Sequence, residues 1–151
     1  MSRYFCLGLF VCGMLTAGKA PADDPKAPKP DTVLEGTWTL VNLEWEGRKI
    51  SDEDLVNGTM TIKANKYVFK MQKNENDEEG TLKIDAGKKP ATIDLDILTG
   101  RSKGKKQVGI YELDGTSLRF CFSDPGEMER PKEFKAGEGS KQTLFGFKKK
   151  P

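Results

Sequence analysis

The chain has 151 residues, enough for one domain, and 32% of them are charged against 36% hydrophobic, so any core is lean. Histidine is absent, which removes the commonest general base, zinc ligand and neutral-pH switch. A formal net charge of +2 gives no overall electrostatic case for nucleic acid.

Residues 1–22 read as a secretory signal. Arg3 supplies the positive start, residues 5–17 (FCLGLFVCGMLTA) the apolar stretch, and Ala20-Pro21-Ala22 a small-x-small cleavage site. The apolar stretch is shorter than the about 20 residues that a bilayer helix needs. The mature chain is therefore expected to be exported, periplasmic or extracellular, with no membrane span. Cleavage removes Arg3 and Lys19, two of the 25 basic residues, and leaves 23 against 23 acidic ones. It also removes Cys6 and Cys12, so Cys121 is left alone, a small buried hydrophobe by expectation. Residues 23–33, rich in proline and charge, form a solvated linker.

The domain is expected over residues 34–148. Gly36–Trp45 reads as a first strand, with Trp38 and Leu40 on one face and Val41, Leu43 and Trp45 on the other. A bulge near Val41-Asn42 would bring both sets to the core. Ser51, followed by Asp52, Glu53 and Asp54, predicts a helix of one to two turns. Residues 59–64 and 67–73 pair as a hairpin with Asn65-Lys66 as its loop, so that Ile62 meets Phe69 and Met60 meets Met71. Residues 73–79 (KNENDEE) read as a solvated charged tip without the spacing of a calcium loop. Leu82 and Ile84 then face inward, as do Ile93, Leu95 and Ile97 on the next strand. Asp94 and Asp96 alternate with them. Two carboxylates on one strand invite an acid–base reading, but the solvated face of a half-buried strand accounts for both. Residues 100–106 (GRSKGKK) read as a solvated basic turn.

Residues 107–122 carry the clearest signal, two strand-like runs joined by Asp114-Gly115. With that pair as the loop, Tyr111 faces Leu118, Gly109 faces Phe120 and Gln107 faces Phe122. Tyr111, Leu113, Leu118, Phe120 and Phe122 make the core face. Val108, Ile110, Glu112, Arg119 and Cys121 make the other. Residues 130–134 read as an edge segment, because Pro131 cannot donate to a ladder. Phe145 and Phe147 face inward on the last strand, and residues 149–151 form a basic tail. The whole is an all-β pattern of about eight short strands with one short helix after the first. Sequential hairpins favour a small antiparallel up-and-down barrel, since closure removes exposed edges.

Several strings together carry a resemblance: Leu34-Glu35-Gly36-Thr37-Trp38, Pro90-Ala91-Thr92-Ile93-Asp94, Gly109-Ile110-Tyr111-Glu112-Leu113, Leu118-Arg119-Phe120-Cys121, and Arg130-Pro131 with Phe134. Over residues 34–148 the chain resembles an uncharacterised exported family of planctomycete bacteria with a lipocalin-like domain. That family has no established activity, so the resemblance implies a fold and no catalytic residues. Gly36-Thr37-Trp38 is also similar to the Gly-x-Trp opening of lipocalins. There the tryptophan closes one barrel end near a basic residue from late in the chain, a part that Lys148 or Arg130 would play here. The second lipocalin motif, Thr-Asp-Tyr, is absent.

No nucleophile–base pair, metal cluster or phosphate loop stands out, so a non-enzymatic protein without cofactor is expected. One reading is a binding module for a small apolar or amphipathic molecule such as a fatty acid or isoprenoid. Trp38, Met60, Tyr67, Phe69, Met71, Ile93, Tyr111, Phe120 and Phe122 would line its interior. The alternative is a packed structural domain that binds another envelope protein and holds no cavity.

Overall fold

Alternating side chains select strands along this chain, and tight turns order them into a ring. The computed structural model describes residues 32–55, 58–71 and 77–151; the expected signal and nearly all of the linker lie outside these residues. A 3-10 turn, Thr32–Leu34, precedes β1 (Gly36–Trp45), the stub β2 (Arg48–Lys49) and α1 (Asp52–Leu55). Then come β3 (Thr59–Lys63), β4 (Lys66–Lys70), β5 (Glu78–Asp85), β6 (Ala91–Ile97), β7 (Lys106–Asp114), β8 (Ser117–Ser123) and β9 (Gln142–Lys149). Every pairing is antiparallel, and β3 to β9 follow one another in order. β9 returns to β1, from Trp38 opposite Lys149 to Trp45 opposite Thr143. β1 and β3 to β9 thus close an eight-stranded barrel with no open edge, the expected architecture.

The bulge falls where the sequence placed it. The β1–β9 register slips between Leu40 and Asn42. The extra residue, Val41, is left exposed, and the slip turns Leu43 inward behind Leu40. Trp45, at the end of β1, is 48% exposed and does not join the core. The short helix also forms as expected, with the Ser51 carbonyl accepting from Asp54 and Leu55.

Both predicted hairpins form, but each register differs by two residues. In β3–β4, Ile62 pairs with Tyr67 and Met60 with Phe69, not Met71, around the loop Ala64-Asn65. In β7–β8, Tyr111 pairs with Phe120, Leu113 with Leu118 and Gly109 with Phe122, around Gly115-Thr116. Each loop carries its positive φ in the first loop position, 53° at Ala64 and 57° at Gly115. This is the Gly-x type of hairpin turn rather than one with both loop residues left-handed. Ala64 has no glycine freedom there, and its N–H is held by the Glu35 carboxylate at 2.9 Å. A shift of two keeps every side chain on its own face, so the inward and outward sets are unchanged.

The barrel floor is sealed. Trp38 is fully buried, donates its indole N–H to the Leu34 carbonyl at 2.9 Å, and shares the core cluster with the fully buried Leu34 side chain. The late basic residue beside it is Lys149, whose ammonium lies 5.4 Å from the ring centroid. Lys148 sits on the opposite face of β9 and binds the Ser117 hydroxyl, and Arg130 lies on the outer wall, so neither takes that part. The expected basic tail accordingly begins inside the ladder, with Lys150 N–H bonded to Thr37. Above the floor, Phe69, Phe120, Phe122, Phe145 and Phe147 form a chain of ring contacts, from 5.4 Å between Phe120 and Phe122 to 6.3 Å between Phe69 and Phe147.

Residues 124–141 correct one expectation. They add no edge strand at 130–134 but fold over the outside of β7 and β8 as an irregular strap. Beneath it Val108, Ile110 and Cys121 are buried, and so is Ala136 of the strap itself. Arg130 pins the strap by donating to the carbonyls of Ile93 (3.0 Å) and Gly109 (2.6 Å) and to the Asp94 carboxylate (2.5 Å). Arg119 reaches up from β8 to stack on Phe134, 4.9 Å from its centroid.

Candidate ligand site

The two ends of the barrel differ. At the floor, Leu34, Trp38, Leu118 and Phe147 are no more than 1% exposed. Among the hydrophobics packed on the core at that end, Ile84, Ala91 and Leu113 are half-buried, and they sit at or next to strand termini. At the other end Leu43, Ile50, Phe69, Met71 and Phe145 pack on the core yet stay half-buried. Four of them are contiguous. Leu43 pairs with Phe145, the Phe69 and Phe145 rings meet edge-to-face at 5.9 Å, and Ile50 N–H bonds the Leu43 carbonyl. Phe145 is the decisive member. It lies mid-way along β9 and points inward with Phe147, yet solvent touches it. An inward ring is therefore within reach of solvent at this end. This end is an apolar mouth over a closed floor.

The predicted lining divides accordingly. Trp38, Met60, Tyr67, Ile93, Tyr111, Phe120 and Phe122 are buried in the packed interior. Only Phe69 and Met71 reach the mouth. Leu43, Ile50 and Phe145 join them there without having been assigned, although the bulge that turns Leu43 inward was legible.

One polar residue of the mouth was missed. Glu78 belongs not to a solvated tip but to β5, where it sits directly opposite Phe69 on the face shared by Gly80 and Leu82. The charged run around it hid that position. Counting back by twos from Leu82 would have found it. Tyr67, 1% exposed, donates its hydroxyl to Glu78 Oε1 at 3.0 Å. A buried phenol needs such a partner. Burial pushes the Tyr67 pKa far above its usual value, and the Glu78 charge pushes it the same way. Burial also raises Glu78, against the lowering effect of the Tyr67 hydrogen bond. Gly80 makes room for the pair: a Cβ there would stand 2.7 Å from the Tyr67 ring and 2.2 Å from the Asp96 carbonyl. Of the remaining charged run, Asp77 pairs with Lys70 at 2.7 Å, and Glu75 lies outside the described residues.

Other candidates are weaker. A cleft of about 410 Å³ is lined by Trp45, Glu46, Gly47, Arg48 and Glu138, and one of about 250 Å³ by strap residues around Arg130 and Lys132. Both linings are mostly charged, which suits neither a fatty nor an isoprenoid chain. Cys121 is fully buried with its thiol on the Lys135 carbonyl at 3.3 Å, and burial raises its pKa. It is a packing residue rather than a nucleophile. Among the described residues no three acidic or cysteine side chains converge as a metal-holding group, and no helix is long and apolar enough to cross a membrane. No family model matches the chain, and neither a curated protein nor a solved structure matches it.

Proposed function

We propose that this chain is an exported, non-enzymatic, lipocalin-like barrel that binds a small apolar or amphipathic molecule at its mouth. The observation that carries the reading is the inward, mid-strand, water-touched Phe145 above a sealed floor. A ligand chain laid against Leu43, Ile50, Phe69, Met71 and Phe145 replaces that water. It gains roughly 25 cal/mol per Å² of apolar area before the costs of association. Specificity for chain length is modest, because an apolar wall separates one methylene by only about 1–3 kcal/mol. The leader-like residues 1–22 support export, and kinship with the planctomycete family is part of the same proposal.

The test is a fluorescence titration of the purified protein with medium-chain alcohols, acids and amines, read on Trp38 and Trp45. Saturable binding that Phe69→Trp weakens, in a variant that still folds, is the expected result. A specific observation favours a second reading: the ring contacts from Phe69 to Phe120 fill the lower barrel. If nothing saturates, the packed interaction domain of the envelope takes its place, and its partner would be an envelope protein.

A further inference from the structure

We propose that the mouth selects amphipathic ligands whose head is a primary amine, held by the Glu78 carboxylate beside Tyr67. This rests on the mouth being the ligand site. Glu78 stands on β5 directly across the ladder from Phe69, so its carboxylate borders the apolar wall against which a ligand chain would lie. The Tyr67 hydroxyl occupies one side of the carboxylate, at Oε1. An ionised carboxylate accepts at about four lone-pair positions, so acceptor capacity is left over.

No neighbouring cation answers Glu78 among the described residues. Lys70, on the strand beside β5, pairs with Asp77, and Lys106 pairs with Asp96; the basic turn of residues 100–106 lies against Glu78 at Gly100, and its charges reach the Glu78 carboxylate in no ion pair. A half-buried negative charge without a cation is unfavourable, and a ligand that brings the cation relieves it. An alkylammonium head supplies three N–H donors and one positive charge. An alkanoate head would instead meet like charge at the same point. The competing role for Glu78 is to satisfy the Tyr67 hydroxyl. Glutamine does that equally well, since its side-chain carbonyl also accepts, so Glu78→Gln separates the two roles.

The experiment titrates the purified protein with octylamine, 1-octanol and octanoate at neutral pH. The expected order is amine tightest and acid weakest, with amine over alcohol by about tenfold or more. Glu78→Gln should abolish the amine advantage and leave the alcohol within about twofold. Tyr67→Phe, which keeps the charge, should preserve the order. Equal binding of amine and alcohol to the unaltered protein overturns the assignment of the head group while the mouth stands, and needs no variant to fold. A folded Glu78→Gln variant that keeps the amine advantage overturns it too. Failure of all three ligands to bind overturns the mouth itself, and the head group with it.

Discussion

Glu78 and Asp94 are both carboxylates on barrel strands, and their surroundings assign them opposite weights. Glu78 faces the barrel interior, and burial holds its pKa above the ordinary 4.5. The folded protein therefore binds this proton more readily than the unfolded chain. The resulting stability is fully present below the ordinary value and is lost as pH rises through the higher folded one. Glu78→Gln does not titrate, so its melting temperature should gain on that of the unaltered protein between about pH 4 and neutrality. A constant gap across that range would refute the burial of this charge. Asp94 is exposed and answers Arg130 from the solvent side. Asp94→Asn should shift the urea midpoint by the equivalent of less than about 1 kcal/mol, as solvent-facing pairs do. Phe120→Ala, which empties a fully buried site among Phe122 and Phe147, should remove about 3–5 kcal/mol. Similar losses in the two variants would mean that the inner and outer faces are misassigned.

At the scale of elements, what the sequence made legible was parity. Alternation placed Ile93, Leu95, Phe120, Phe122 and Phe147 inside, and all five are buried. Parity survives a shift of two, which is why the faces held while both hairpin registers moved. Register depends on which residue accepts a positive φ, and Ala64 does so because Glu35 from the opening turn binds its N–H. No local pattern announces a contact that distant. The mouth was half legible for a related reason. Phe69 and Met71 follow from alternation, but the inward Glu78 was hidden by the acidic run around it. The strap over residues 124–141 has no period at all; its hold comes from Arg130 reaching two strand carbonyls. Arg130→Met leaves those bonds unmade and should cost about 1–3 kcal/mol, more than Asp94→Asn does. Hydrogen exchange at residues 124–141 should then rise ahead of the barrel strands. Uniform exchange across the molecule would show that the strap and barrel open as one.

For the molecule as a whole, the ring is closed by β1 and β9, which are roughly a hundred residues apart and must meet across the longest loop in the fold. A protein lacking β9 keeps seven of the barrel strands but leaves β1 and β8 as bare edges, with the inward faces of Leu40 and Phe120 uncovered. It should aggregate or bind a hydrophobic dye rather than melt cooperatively, and a clean two-state transition in such a truncation would contradict the ring. Closure also fixes a timetable. A polypeptide delivered from one end, by a ribosome or through a narrow pore, presents β1 first and β9 last. Until the last strand arrives the first has no permanent neighbour on that side, and every hairpin made in between must wait in solution as an unfinished sheet. The high content of charge in this chain suits that interval: it keeps an incomplete ring dissolved, and the small apolar inventory is spared until one late event joins the ends.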